Sequence, residues 1–93
     1  MVTQQETVHR VDPVRVAWRL AGEEVVVLDT ARSVYFGLDR NATLLWQRLV
    51  GGATSTELVA TLMEGARVDR DRASADVATF LDELLRHDLL QRP

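Results

Sequence analysis

The chain has 93 residues, of which 46% are hydrophobic and 27% charged, and it contains no cysteine. This length predicts one globular domain without a large active-site cleft, and the lack of cysteine excludes disulfides, thiolate zinc sites and a cysteine nucleophile. The net charge is −3, and all 11 basic residues are arginine, which argues against nucleic acid as the main partner. No segment has the pattern of a signal peptide or a membrane span, so we expect a cytoplasmic protein without membrane contact.

Residues 1–12 are polar and show no clear period, which predicts a flexible N-terminal arm followed by a single domain over residues 13–91. The next segment alternates, with Val14, Val16, Trp18 and Leu20 on one face. Strict alternation of this kind is typical of a half-buried strand. Pro13 and two arginines would protect that strand as a sheet edge.

Two further strands follow after short turns. The run from Val25 to Leu28 is apolar on both faces, which favours the middle of a sheet. Residues 33–38 form the third strand, with three apolar side chains on one face and Ser33, Tyr35 and Gly37 on the other. Short turns predict a meander in which this third strand is an edge. It carries neither charge nor proline, so it invites pairing with another strand.

The period then changes to that of helices. The first helix would begin at Asp39 or Asn41 and end at Gly51-Gly52. The second would begin at a capping box formed by Thr54 and Glu57 and end at Gly65.

The third helix would begin at Asp69 or Asp71. Its expected buried side comprises Val77, Phe80, Leu81, Leu84 and Leu85. Three helices after a three-stranded antiparallel meander predict an α+β domain similar to a winged helix-turn-helix.

Groups able to perform catalysis are sparse. His9 and His87 are the only histidines, and neither has the neighbours expected of a zinc site. The chain lacks the Gly-x-Ser-x-Gly elbow and the glycine-rich phosphate loop. The acidic residues of the third helix alternate with arginines, which is typical of a solvated helix face. We therefore expect no enzyme, no cofactor and no metal. A winged-helix DNA-binding regulator is kept as an alternative, although phosphates would repel the acidic third helix.

Several segments, taken in order, resemble the PqqD-like family of RiPP recognition elements, small winged-helix domains that bind the leader of a ribosomally made precursor peptide. The resemblance extends from Val25 to Leu90 and is strongest in the stand-alone proteins of lasso-peptide biosynthesis. It is carried by Val26-Val27-Leu28-Asp29, Tyr35-Phe36-Gly37-Leu38-Asp39, Asn41-Ala42-Thr43-Leu44-Leu45-Trp46, Gly52-Ala53-Thr54, Glu57-Leu58, Asp76-Val77, Phe80-Leu81, Leu84 and Leu89-Leu90.

The resemblance implies that a leader peptide pairs antiparallel with the third strand, in a cleft beside the third helix, and is presented to a processing enzyme. That enzyme would be a lasso-peptide leader peptidase or, as an alternative, a radical enzyme. Strand addition takes affinity from main-chain hydrogen bonds and specificity from pockets. The candidate site residues are Ser33, Val34, Tyr35, Phe36, Gly37 and Leu38 on the strand, and Asp76, Phe80, Glu83 and Leu84 on the helix. Leu81 and Leu85 are assigned to the core, and a weak homodimer through the same strand edge is a further expectation.

Overall fold

The computed structural model describes residues 6–91. A meander of three antiparallel strands, in the order β2-β3-β4, is followed by three helices. The α+β architecture predicted from the sequence is therefore confirmed. The elements in chain order are β1 (Val8–His9), β2 (Val16–Ala21), β3 (Glu24–Asp29), β4 (Val34–Gly37), α1 (Arg40–Gly51), β5 (Ala53–Thr54), α2 (Ser55–Ala66) and α3 (Arg70–Arg86).

The central position of β3 follows from its apolar run. In the register, Val27 pairs with Trp18 of β2 on one side and with Phe36 of β4 on the other. Val25 and Val27 point toward the helices and are fully buried. The first meander strand begins two residues later than the alternation begins, because Val14 lies in a turn and its N–H donates to the Asp12 carboxylate.

The core is formed where α1 packs on β3 of the sheet, α2 packs on α1, and α3 packs on α2. Its largest members are Trp46 and Leu49 of α1 and Leu58 and Leu62 of α2, all fully buried. Thr43 links the layers, because its hydroxyl accepts a hydrogen bond from the N–H of Val25 at 2.9 Å. This contact fixes the start of α1 beside the end of the sheet.

Each helix begins at a capping residue that the sequence predicts. Asp39 is the N-cap of α1, and its carboxylate accepts from the N–H of Ala42. Thr54 and Glu57 form the complete capping box of α2, and Asp69 caps α3. Short polar side chains at these positions satisfy N–H groups that the first helical turn leaves free.

The end of α2 differs from the prediction. Gly65 lies inside the helix, and Arg67 supplies the left-handed residue that ends it, with φ of 55°. A Cβ at position 65 would come within 2.7 Å of a Leu44 methyl carbon. Gly65 therefore permits close packing of α1 on α2 instead of ending the helix.

The described part of the N-terminal segment makes contacts that the sequence did not indicate, and its expected flexibility stays a prediction. Residues 8–9 pair with residues 53–54. Val11 is 4% exposed, and its N–H donates to the carbonyl of Leu49. Val11, a few backbone hydrogen bonds, and side-chain hydrogen bonds of Glu6 with Thr56 and of Arg10 with the Gly51 carbonyl hold this segment. No periodic pattern in the sequence predicts such contacts. Residues 1–5 of the expected arm lie outside the described residues.

Candidate functional site

The free edge of β4 is the first component of the site. The N–H of Leu38 donates to the carbonyl of Val25 at 2.9 Å, which sets the alternation along the strand. Residues 34, 36 and 38 therefore direct their N–H and C=O groups toward β3. Tyr35 and Gly37 direct theirs toward the open edge, where no neighbouring strand lies in the sheet of the described chain. Two donors and two acceptors are thus presented to a partner strand.

The side chains of β4 alternate as the sequence indicated. Tyr35 is 70% exposed on the outer face, whereas Phe36 is half-buried on the inner face against the core. The strand itself is shorter than residues 33–38. Ser33 has φ of 56° and closes the preceding turn by donating to the carbonyl of Asp29, and half-buried Leu38 follows the strand.

A cleft of about 400 Å³ between the start of α1 and the middle of α3 is the second component. It brings together Asp76, Phe80 and Glu83, three of the four helix residues predicted to form a groove wall. These residues lie four and three positions apart on one face of α3. The remaining lining residues are Asp39, Asn41, Ala42, Leu45, Leu62, Arg72 and Thr79.

The sequence did not indicate the contribution of α1 to this cleft. The N-cap Asp39 was recognised as a helix start, but its position opposite α3 depends on how two helices pack. Nothing local in the sequence specifies that packing. The rim that results is acidic, with Asp39, Asp76 and Glu83, and Arg72 faces Asp76 at 3.5 Å.

The predicted roles of Leu84 and Leu85 are corrected by the structure. Leu84 is 5% exposed and belongs to the core, whereas Leu85 is 49% exposed. The buried side of α3 runs through Ala73, Val77, Leu81 and Leu84. Leu85 lies one position beyond this stripe, a rotation of about 100° about the helix axis.

A polar cluster joins the turn before β4 to the C-terminal end of α3. The Arg32 guanidinium lies 3.2 Å from the Asp29 carboxylate, donates to the carbonyl of His87 at 3.0 Å and lies 3.6 Å from the Asp88 carboxylate. Close by, the rings of Phe36 and His87 are 4.9 Å apart. We call Asp29, Arg32 and Asp88 the turn cluster. It fixes one end of β4 against α3.

Asp29 is the buried centre of the turn cluster, with its side chain 1% exposed. Burial raises the pKa of this carboxyl, but hydrogen bonds from the Arg32 N–H, the Arg32 side chain and the Ala31 N–H outweigh burial and hold the pKa below 3.8, its ordinary value. A group whose pKa is lower in the folded state stabilises the fold above its unfolded pKa. That contribution disappears as the pH falls through the folded pKa.

We therefore expect Asp29→Asn to lower the free energy of unfolding at neutral pH, because the amide cannot replace the charged acceptor of Arg32. The difference from the wild type should shrink below about pH 4, where the unfolded carboxyl binds a proton. Urea unfolding at several pH values measures this. The matched control, Asp82→Asn on the exposed face of α3, should show a small effect at every pH. A difference for Asp29→Asn that stayed constant with pH would contradict the account.

The edge and the cleft follow each other along the chain, and we call the space between β4 and the C-terminal half of α3 the groove. At one end the turn cluster holds the start of β4 near His87. At the other end Leu38 leads directly into Asp39 and the cleft around Phe80. Phe36 lies on the β4 side, beside His87, whereas Phe80 and the carboxylates of Asp39, Asp76 and Glu83 line the cleft. This combination suits an extended peptide with apolar anchors and basic neighbours.

Neither a metal site nor a membrane span is found within residues 6–91. The described residues contain no group of three or more His, Cys, Asp or Glu side chains arranged to hold a metal ion. None of the helices described is both long enough and apolar enough to cross a membrane.

Comparisons with known proteins identify the family. Residues 24–90 match the profile described as coenzyme PQQ synthesis protein D (PqqD). The fold is similar to a structure of TbiB1 in complex with the TbiA(beta) leader peptide, with 28% identity, a TM-score of 0.81 and coverage of 90% of this chain and 96% of that chain. It is also similar to lasso peptide synthetase B1 complexed with the leader peptide, with 24% identity, a TM-score of 0.77 and coverage of 90% and 98%. A comparison with curated proteins gives no match. Since the residues that match the profile make up well over half of this chain, the chain belongs to the PqqD family.

Proposed function

We propose that this protein binds the leader segment of a ribosomally synthesised precursor peptide, which adds as an antiparallel strand to β4 in the groove beside α3. The observation that carries the proposal is the open edge at Tyr35 and Gly37; the cleft around Phe80, which begins at Asp39 just after β4, supports it. The similar TbiB1 structure is a complex with a leader peptide, which supports the same use of this fold.

The interactions available are sufficient for useful affinity. Four main-chain hydrogen bonds at Tyr35 and Gly37 contribute about 1 kcal/mol each. Two or three apolar anchors on the peptide, packed against Phe36 and Phe80, contribute about 1.5–3 kcal/mol each. These gains must exceed an association cost of at least about 4 kcal/mol. The balance is at most about 9 kcal/mol, which corresponds to a dissociation constant near or just below micromolar, provided that the groove is already formed in the free protein.

Side chains in the groove would select the peptide. Phe80 offers an apolar surface for an aromatic, leucine or proline anchor. Asp76 and Glu83 favour lysine or arginine on the leader at the rim of the cleft. Because rim charges remain hydrated, they would set the register of the peptide more than its affinity.

We infer that the protein is a cytoplasmic binding protein and not a catalyst, and that it presents the bound leader to a separate maturation enzyme. A lasso-peptide leader peptidase is the favoured partner. One similar structure is TbiB1 bound to a leader peptide, and the other is lasso peptide synthetase B1 bound to its leader peptide. Delivery to a radical enzyme is the alternative. Mixing the protein with the peptidase and the precursor encoded nearby should accelerate leader removal. No acceleration with the peptidase, but activity with a radical enzyme, would favour the alternative.

Titration calorimetry tests peptide binding directly. The probes are synthetic leader segments of precursors encoded beside the gene, together with the TbiA(beta) leader. We expect one nearby leader to bind with a dissociation constant in the micromolar range or below. A labelled DNA duplex is the comparison. Tight, salt-dependent duplex binding without peptide binding would instead identify a DNA-binding regulator.

The same edge could also pair with a second copy of the chain, giving a weak homodimer that competes with the leader. Sedimentation at increasing protein concentration would reveal such a dimer. Adding a leader peptide that binds should convert such a dimer into a 1:1 complex of protein and leader.

A further inference from the structure

The outer face of the sheet is largely apolar, although none of the helices within residues 6–91 covers it. β3 carries Val26 and Leu28 on this side, next to Ala17 of β2 and Tyr35 of β4. These side chains, with Arg19, line a shallow depression of about 460 Å³. An antiparallel sheet with one solvated face normally presents polar side chains there. The apolar side chains on this face therefore indicate that it contacts a binding partner.

Gly37 gives a second sign of a missing contact. Its φ lies outside the left-handed region, and a Cβ built at this position meets no atom within 4 Å. Neither backbone conformation nor internal packing therefore requires glycine. Glycine also weakens a strand, because it adds flexibility and packs no side chain. The fold of the free protein leaves this choice of residue unexplained.

The strand register connects the two features. On the outer face Gly37 pairs with Val26, and Val26 pairs with Arg19. Residues directly opposite each other in an antiparallel pair direct their side chains to the same face, so a residue of an added strand opposite Gly37 would place its side chain on this outer face. Nothing on Gly37 would block that side chain from lying across the strand onto Val26. The next outward residue of the peptide, two positions later, would lie beside Tyr35.

We propose that Gly37, Val26 and Tyr35 form a second subsite, on the outer face, which receives a large apolar or aromatic side chain of the bound leader. Side chains on both faces of the leader strand are then recognised, because alternate residues point into the groove beside α3 and onto the outer face of the sheet. Arg19 at the far end of the row disfavours a basic side chain at this position. This inference rests on strand addition to β4 as proposed above.

The test compares Gly37→Val with wild type against a leader peptide already shown to bind, and against variants of that peptide with alanine at each position in turn. We expect Gly37→Val to fold normally, since valine favours strands. Binding of the parent peptide should weaken at least tenfold. One alanine variant of the peptide should lose affinity for the wild type and lose little further affinity for Gly37→Val. Gly51→Ala is the matched control, because position 51 also has open space around the added Cβ.

The outcomes separate this subsite from strand addition itself. Equal weakening of every peptide variant by Gly37→Val would mean that Gly37 serves only close backbone approach, and the subsite would be rejected. Unchanged binding of all peptides by Gly37→Val would reject it as well. Strand addition is judged independently by a backbone substitution at Tyr35, whose failure would reject both proposals.

Discussion

Replacing Tyr35 by proline is expected to weaken leader binding by about tenfold to 100-fold, the largest effect of any single change at the edge. Proline removes the outward N–H of residue 35 and leaves a carbonyl of the added strand without its donor. An unsatisfied buried acceptor costs about 1–3 kcal/mol. Because this N–H points away from β3, the substitution breaks no hydrogen bond within the sheet, and proline is tolerated at strand edges of this kind.

The control for this change is Tyr35→Ala, which removes the side chain and keeps the N–H. It should weaken binding less than proline does, while circular dichroism and the melting temperature show that both variants are folded. Calorimetric titration with the same peptide gives both dissociation constants. Equal binding by Tyr35→Pro and the wild type would show that the leader does not pair with β4.

The parts of the fold that depend on local patterns were predictable from the sequence. The apolar run around Val26 placed β3 in the centre of the meander. Asp39, Thr54 and Asp69 each mark a helix start, because a short polar side chain can cap free N–H groups only at the first turn. Such signals involve residues within a few positions of one another, so the sequence displays them directly.

Features that depend on packing between distant segments were not predictable. Val11 is buried because it reaches Leu49, which lies far along the chain. Gly65 resembles a helix terminator, yet its role is to admit Leu44 of another helix. The choice between Leu84 and Leu85 depended on the rotation of α3 about its axis, which three-dimensional packing determines.

The candidate site shows the same division. The edge strand was predictable because the absence of charge and proline is visible in the sequence itself. The cleft was predictable on the α3 side, where Asp76, Phe80 and Glu83 follow helical spacing. Its α1 side and the turn cluster required the structure. The contact of Arg32 with His87, which sets the position of β4 beside α3, spans 55 positions of sequence.

Replacing Phe80 by alanine should give the second large effect, a loss of about tenfold to 100-fold in leader affinity, because one buried apolar anchor contributes about 1.5–3 kcal/mol. Phe80 lines the cleft and is half-buried against the core, so some loss of stability will accompany the change. Binding is therefore measured well below the melting temperature of the variant. The affinity loss should be confined to peptides that retain their apolar anchor, since removing both partners of one contact costs less than the sum of the single changes.

Leu85→Ala provides the matched control on the same helix. Leu85 is 49% exposed and lies outside the residues that line the cleft, so its removal should leave leader affinity within about twofold of the wild type. If Leu85→Ala weakened binding as much as Phe80→Ala, the effect would reflect general loosening of α3. If Phe80→Ala left binding unchanged while Tyr35→Pro abolished it, the peptide would pair with β4 but turn its anchors away from α3, toward the outer face of the sheet.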